Sequence, residues 1–446
     1  MFVTEFNIDE IFSYESVVWA YHNVCKNCRS SIKKTKFTYF ANSNIFDIYN
    51  KLRDLSYKFS KYTIFIIKDP KYRVIMNDTI YDKIVNYLVA YKVLLPVLSP
   101  TLIEQNVATR KGKGASKAYY FFEKYANKLK ENGSVYVLKI DIKKYFYNIN
   151  HSVLLKMLKK YISSSMLSNF IVNIINQTNN DYVNNNINYL KNKIIQDLNY
   201  KSISLKEKEE LIKKIYEIPL YDNGKGLSIG NVCSQILAVF YLNEFDHYMK
   251  EKIKCRCYLR YMDDIVILSN SKSFLKDVFY LANDKLKEYK LTINPKSNIY
   301  KLNNSFTFLG RTYYLKNNIL LYRCRSTTYK SIMKKLNYLR NNDFKSYYLS
   351  KISYKGYLNK NIYSLKEEFD FLSNKYNNVI VKDFIYEVGY VIRSNVSDDV
   401  INEVLDNIGI SVINIFNIKR FIKYFESNNI KYIYLEKTKI VFKYDC

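Results

Sequence analysis

The stretch Arg260-Tyr261-Met262-Asp263-Asp264-Ile265-Val266-Ile267-Leu268 constrains the fold more than any other in the chain. Ile265 to Leu268 is an unbroken apolar run of strand length, so it reads as a buried strand. Cys257-Tyr258-Leu259 reads as the end of the strand that leads into it. The two acids then fall at a tight hairpin turn. Carboxylates a few Å apart repel by roughly 1 to 4 kcal/mol, depending on the local dielectric. A turn that keeps them together suits a divalent cation. Aspartate oxygens fit Mg²⁺, which retains waters and shares substrate phosphates. A solvated turn would carry the same two acids.

A second stretch separates these readings. In Val135-Tyr136-Val137-Leu138-Lys139-Ile140-Asp141-Ile142-Lys143-Lys144-Tyr145-Phe146, another apolar strand ends in a lone acid and is followed by aromatics. Two-metal phosphoryl transfer needs converging carboxylates that hold two ions roughly 3.5 to 4 Å apart. Asp141 and the pair Asp263/Asp264 could supply them from separate strands.

With these residues the chain resembles a reverse transcriptase of the prokaryotic kind. Tyr261-Met262-Asp263-Asp264 matches that family's catalytic tetrad, and Asp141 matches its first palm aspartate. The resemblance implies an α+β right-hand polymerase: fingers, a palm with an antiparallel sheet, and a thumb. A helical N-terminal extension precedes these, and an α-rich C-terminal extension follows. It implies two Mg²⁺ ions, with Mn²⁺ as the alternative, held by Asp141, Asp263, Asp264 and the Ile142 carbonyl.

Apolar spacing of three and four at Ile8, Ile11 and Phe12, then at Ile45, Ile48, Leu52 and Leu55, predicts amphipathic helices over 1–60. Tyr62 to Ile75 reads as a strand, a turn with Pro70 and a second strand, opening a fingers region at 61–134. In the family such a hairpin closes on the incoming triphosphate. Arg73 suits that role because its planar fork grips phosphate bidentately, and Lys71 comes second. Arg110, Lys111 and Lys113, among the glycines of Thr109-Arg110-Lys111-Gly112-Lys113-Gly114, resemble the family's basic loop over the template strand.

The palm is expected over 135–310, with insert helices at 151–222 and a polar, Asn-laden break from Thr178 to Asn188. The long interval from Asp141 to Gly226 points to an insertion between about 178 and 215. The glycine-rich run Asn223 to Gln235 lets a backbone lie against a sugar, base or phosphate. Its Ile229-Gly230-Asn231 and Ser234-Gln235 pattern resembles reverse transcriptases of diversity-generating retroelements and their defence-linked relatives, with Ser228 where that family usually has Pro. The resemblance places Ile229, Gly230 and Phe146 at the dNTP, the last as a steric gate, and Gln235 at nucleic acid. In Leu291 to Lys296, Lys296 could protonate the leaving pyrophosphate as general acid. Leu309 and Gly310 resemble the primer-grip hairpin. Residues 311–365 read as a thumb, with a basic helix carrying Arg325, Lys330, Lys334, Lys335 and Arg340. Residues 366–446 show helical spacing and a closing strand from Lys431 to Phe442, and match no known motif.

The formal charge of +29 favours a polyanionic partner, although abundant Lys, Asn, Ile and Tyr together also suggest A/T-rich codons. RNA template, DNA or RNA primer and dNTPs are the implied partners, with a dedicated noncoding RNA and self-association also admitted. Seven cysteines, an odd number, suggest free thiols in a reducing compartment. His22-x2-Cys25-x2-Cys28 is half a zinc pattern without a second Cys pair nearby, so its residues read as ordinary helix positions. No apolar run approaches the roughly 20 residues of a membrane span, and the N-terminus carries no signal-peptide core. A cytoplasmic enzyme without membrane contact is expected. The reading is an RNA-directed DNA polymerase in antiphage defence with a cellular or noncoding RNA template. Its alternatives are the mutagenic enzyme of a diversity-generating retroelement, template-independent or protein-primed synthesis, and an inactive RNA-binding scaffold.

Overall fold

A computed structural model describes residues 6–28, 32–68, 71–200 and 203–354, with short strands at 432–435 and 440–443. The chain divides into two units, 1–304 with 315–320, and 305–314 with 321–446.

The first unit is built on a four-stranded sheet of order β4-β5-β3-β6: β3 (Tyr136–Ile140), β4 (Tyr258–Tyr261), β5 (Asp264–Ser269) and β6 (Asn298–Lys301). All its pairings are antiparallel. Successive side chains point to opposite faces. Val137 and Leu138, like Ile265 to Ile267, are nevertheless all fully buried, so both faces of the two central strands are covered. Continuous apolar runs are the sequence consequence. Helix Lys272–Glu288 packs beneath β3 and β5 through Leu275, Val278, Ala282 and Leu286, at helical spacing. Its first turn is closed by Ser271, whose Oγ accepts the Phe274 N–H at 3.1 Å.

Register fixes the acids. Tyr261 pairs with Asp264, so the two-residue turn is Met262-Asp263, with Met262 at φ 56°. The expected placement of both acids in the turn is thereby corrected: Asp264 is the first residue of β5. Only two residues fit a tight hairpin of this kind.

The N-terminal helices Ile8–Ile11, Tyr14–Asn27, Ile32–Tyr39 and Ala41–Arg53 form as expected. Ile11, Phe12, Ile45, Ile48 and Leu52 join the main core. Leu55 does not. The helix ends at Asp54, the Ser56 N–H bonds to Lys51 O at 2.9 Å and the Leu55 N–H to Leu52 O at 3.2 Å. That is a Schellman ending. It throws Leu55 to φ 57° and leaves it half exposed.

β1 (Thr63–Lys68) and β2 (Tyr72–Asn77) form the expected hairpin. The expected break from Thr178 to Asn188 narrows to Gln177–Asn180, and Asp181–Leu198 is one helix. Val183 and Ile187 pack with Ile64, Val74 and Met76 of the hairpin and with Ile215 of helix Leu205–Tyr216. Burial of this apolar stripe overrides the weak helix propensity of the asparagines. The insertion thus shares a core of its own with the hairpin.

Helical turns run continuously over Ile80–Thr101, long and apolar enough to cross a membrane by length and composition. The sequence expectation of no such run is corrected in that respect. Ile84, Val85, Leu88, Val93 and Leu94 within it are fully buried core residues.

Further along the chain, β7 (Phe306–Phe308) and β8 (Arg311–Lys316) meet at Leu309-Gly310, both at positive φ, and β9 (Ile319–Cys324) completes a three-stranded sheet. Helix Ser326–Asn342 buries Ile332 and Leu336 and exposes Lys330, Lys334, Lys335 and Arg340. The single closing strand expected at 431–442 is instead an antiparallel pair, β10 (Tyr432–Leu435) and β11 (Ile440–Lys443). The helical spacing read over 366–430 lies outside the described residues.

Candidate active site

Asp141 follows the last residue of β3, and the segment Thr292–Ser297 holds it. The Asn294 N–H donates to Asp141 O at 2.7 Å, and the Asp141 N–H donates to Ser297 Oγ at 2.9 Å. The Asn294 amide also donates from Nδ2 to Asp141 Oδ2 at 2.8 Å. Sequence reasoning missed Asn294. Its only signal is the Asn-Pro pair, which marks a turn. Indeed its Oδ1 accepts the Lys296 N–H at 3.1 Å. Lys296 itself is exposed, and its ammonium forms no ion pair among the described residues. The bonds from Asn294 N–H to Asp141 O and from Lys143 N–H to Thr292 O, the latter at 2.9 Å, flank the Ile142–Ile293 bridge. Ile142 is therefore in a non-hydrogen-bonded position, and its carbonyl points away from this ladder.

Asp141 and Asp264 come to one face of the sheet by register, with Asp263 in the adjoining turn. Lys139 pairs with Val266, two residues from Asp264, so Lys139 and Asp264 share a face, and Asp141 lies two residues beyond Lys139. Lys139 Nζ sits 3.1 Å from Asp264 Oδ1. Burial, and then the Asp264 and Asp141 charges, push the Asp263 carboxyl up to about 6. Asp141 is likewise raised, by burial first and Asp264 second, while Lys139 and Lys71 pull it back down. Among the described residues, no three His, Cys, Asp or Glu side chains are gathered closely enough to hold a metal ion as they stand. The donor set nonetheless fits one. It is all hard carboxylate oxygen, its members repel one another, and a lysine already serves as counter-charge. For Asp264 to take up an ion, Lys139 would have to release it.

On the nucleotide side, Tyr145 is buried and donates its hydroxyl to Ala238 O at 2.5 Å, so it belongs to the core. Phe146, next to it, is only half buried. The Phe146 carbonyl accepts the Leu227 N–H at 2.8 Å, which ties it to the glycine-rich run. Lys71 and Arg73 are both exposed on the hairpin, and of the two it is Lys71 whose charge reaches Asp141.

The glycines of 224–230 have a reason the sequence reading did not give. A Cβ on Gly226 would stand 2.5 Å from the Tyr221 ring, and one on Gly230, at φ 126°, would stand 2.6 Å from Met76 O. The Met76 N–H donates to Ile229 O at 2.9 Å. Ile229 and Gly230 thus dock the loop onto β2, and the absent side chain makes room for protein backbone rather than for a phosphate. Ser228, where proline was expected, shares a hydrogen bond with Ser234 Oγ at 2.9 Å and accepts one from the Tyr62 hydroxyl at 3.2 Å.

The residues expected at nucleic acid divide. Arg110 turns inward: its NH1 donates to Ile103 O at 2.7 Å and Asn106 O at 2.9 Å. Lys113 Nζ donates to Glu104 O at 2.9 Å. Loop carbonyls thus take up both cations. Lys111 remains exposed. Gln235 is the one exposed residue of helix Val232–Tyr241. Leu309 and Gly310 belong to the other unit. At the half-zinc pattern, Cys25 and Cys28 are free thiols, and their carbonyls accept Lys34 Nζ at 2.6 and 3.1 Å.

Comparisons bear on this geometry. No curated protein matches the sequence. Among solved structures, a telomerase from Candida albicans in complex with a TWJ fragment of telomeric RNA is 14% identical, with 75% of this chain and 58% of that one covered, at a TM-score of 0.42. An apo telomerase from Candida tropicalis is 15% identical over 66% of this chain and 52% of that one, at 0.40. The same enzyme truncated from its C-terminal domain is 15% identical over 60% and 55%, at 0.36. The chain spans a little over half the length of these proteins. The family profile "Reverse transcriptase (RNA-dependent DNA polymerase)" matches residues 66–313, more than half of the chain and the whole of the segment that carries Asp141, Asp263 and Asp264. The chain belongs to the reverse transcriptase family.

Proposed function

We propose that the protein is an RNA-directed DNA polymerase that extends a primer with dNTPs in the cytoplasm. The observation that carries this is the placement of Asp141 after β3 on the face that Asp264 of the adjacent β5 also occupies, with Asp263 in the turn beside them and the Lys71 charge felt at Asp141. Reverse transcriptases use divalent metal ions, and two Mg²⁺ or Mn²⁺ ions would here neutralise charge on the reacting phosphates. The primer 3′ oxygen bonds to the α-phosphorus of the dNTP, the bond to the bridging oxygen breaks, and pyrophosphate leaves. Asp141, Asp263 and Asp264 supply the anchoring oxygens, with the Ile142 carbonyl available beside them. Lys71 and Arg73 hold the triphosphate, Phe146 lies beneath the sugar, and Lys111 and Gln235 face the template. In this reading 61–134 is the fingers, 135–310 the palm and 311–365 the thumb, whose Lys330, Lys334, Lys335 and Arg340 follow the duplex backbone. Catalysis of this kind is positioning and charge neutralisation.

The test is extension of a DNA or RNA primer on an RNA template by the purified chain with Mg²⁺ or Mn²⁺. Incorporation that depends on both template and metal supports the reading. Binding of RNA without any incorporation would leave an RNA-binding scaffold, and synthesis without template or primer would identify a template-independent or protein-primed enzyme.

Two substitutions divide the hairpin's work. Losing a charged hydrogen bond to phosphate costs about 1.5–3 kcal/mol, so Arg73→Ala should raise the KM for dNTP by roughly 10- to 150-fold. Lys71→Ala should raise KM too, and also lift the Asp141 pKa further, since Lys71 holds it down. Its acid limb in the pH–rate profile should therefore move to higher pH, while that of Arg73→Ala stays in place. Identical profiles for both variants would refute the pairing of Lys71 with Asp141.

For the biological role, antiphage defence with a cellular or dedicated noncoding RNA is favoured by the insertion that forms its own core with the hairpin. The Ile229-Gly230-Asn231 pattern favours a diversity-generating retroelement instead. Sequencing the nucleic acid that copurifies with the protein separates them: one defined noncoding RNA supports the first, and a template repeat with variable-region product supports the second.

A further inference from the structure

Arg260 immediately precedes the catalytic tetrad match and is fully buried, the largest such side chain in the described residues. A buried guanidinium is costly unless every donor is met. Here its partners are in place. Nε and NH2 donate to Asp246 Oδ1 and Oδ2, both at 2.7 Å, and Asp246 is itself fully buried. NH2 also reaches Val239 O at 2.8 Å. The remaining arm, NH1, donates to Met262 O at 2.9 Å. Met262 O is the carbonyl of the peptide that leads into Asp263, in a turn where Met262 already has positive φ. Asp246 is braced in turn by the Tyr258 hydroxyl at 2.5 Å and by Asn106 Nδ2 at 3.3 Å.

We infer that Arg260 is a positioning residue: it clamps the Met262-Asp263 peptide so that the Asp263 carboxylate meets the metal, and Asp246 serves to aim the clamp. This rests on the proposed function. Without the clamp, Asp263 can leave the metal by rotation of the turn, because its neighbours Asp264 and Asp141 repel it. The same network touches the basic loop. Arg260 N–H donates to Gln105 O at 3.1 Å, and Val107 N–H donates to Arg260 O at 3.2 Å. The strand that leads into the turn is thus tied to the segment that precedes exposed Lys111.

The test uses the full chain and two variants. Arg260→Lys keeps the charge, but one ammonium cannot serve Asp246, Val239 and Met262 together. Arg260→Met with Asp246→Leu removes both charges, a replacement that buried pairs often tolerate. Three quantities are read: Mn²⁺ binding to the free protein by electron paramagnetic resonance, melting temperature, and the Mg²⁺ dependence of primer extension. Arg260→Lys should weaken Mn²⁺ binding and raise the Mg²⁺ concentration for half-maximal rate by roughly 10- to 100-fold, the usual effect of losing a partner that orients a metal ligand. Affinity for primer–template should be unchanged. The double variant should melt above Arg260→Lys, though below the unsubstituted chain because the Tyr258 hydroxyl and Asn106 lose their acceptor, and still bind Mn²⁺ weakly, because nothing donates to Met262 O. Wild-type metal binding in Arg260→Lys would overturn the inference, and so would metal binding that returns with the melting temperature in the double variant. If the unsubstituted chain neither binds Mn²⁺ nor extends a primer, the active-site reading fails and takes this inference with it.

Discussion

Asp263→Asn should abolish dNTP incorporation and, in metal-free buffer, make the protein harder to melt. The first effect follows from chemistry: an amide keeps the shape and removes a hard anionic ligand. Removing one preorganised electrostatic partner of a transition state typically costs roughly 10²- to 10³-fold in rate, and a metal ligand belongs at or beyond the top of that range. The second effect follows from the raised carboxyl. Its ordinary value is 3.8, and burial with two neighbouring acids takes it to about 6. Above about 6 the folded chain carries a charge that the unfolded chain would carry at less cost, a penalty on the order of 1–3 kcal/mol. As pH falls through about 6 the folded state takes up its proton first, and near pH 4 the penalty is gone. The gain in melting temperature for Asp263→Asn should therefore be present at pH 7 to 8 and vanish near pH 4. Excess Mg²⁺ should reverse it, because bound ions stabilise only the chain that holds them. Primer extension and thermal melts in chelator across this pH range check both. Extension at near wild-type rate would remove Asp263 from the site.

Phe146→Val should open the enzyme to ribonucleotides. Phe146 lies five residues after Asp141, and its backbone is fixed from two sides by the short helix Tyr145–Asn148 and the bond from Leu227. Tyr145 is buried within the core, whereas Phe146 packs against that core and stays partly exposed, so of the two adjacent rings only Phe146 keeps an accessible surface. A phenyl ring beneath the sugar rejects a 2′-hydroxyl by overlap rather than by a missing hydrogen bond. Shape exclusion of this size is worth roughly 10- to 200-fold. The ratio of kcat/KM for dNTP over rNTP on one primed template should fall by that order in Phe146→Val, with dNTP use reduced less. Tyr145→Val should instead lose stability, because it empties a buried ring and leaves Ala238 O without its donor. An unchanged ratio in Phe146→Val, with a collapsed one in Tyr145→Val, would move the gate one residue earlier.

Much of the fold was legible where the signal is local. The strands around Asp141 and Asp263/Asp264, the fingers hairpin, the N-terminal helices and the basic helix after Arg325 all follow from hydrophobic period and turn chemistry. Where local and tertiary signals compete, the sequence misleads. Asn-rich 178–188 reads as a break, yet Val183 and Ile187 find the hairpin and hold the helix together. Arg110 and Lys113 read as ligands for phosphate, yet loop carbonyls nearby engage them.

By itself the sequence determined where the acids stand: Asp141 just after one apolar strand and Asp263-Asp264 just before another, in the order and spacing of one polymerase family. Hydrophobic periodicity and residue chemistry act over a few positions, so they can be read in one dimension. Only the tertiary structure decided how those acids are held. The bond from Asn294 to Asp141 spans 153 positions, the Arg260 clamp depends on where Asp246 is buried, and Gly230 is glycine because Met76 O passes 2.6 Å from where a side chain would begin. Such partners are chosen by packing across the whole core, which places side chains far apart in the chain within hydrogen-bond reach and leaves no mark in the local pattern of either one.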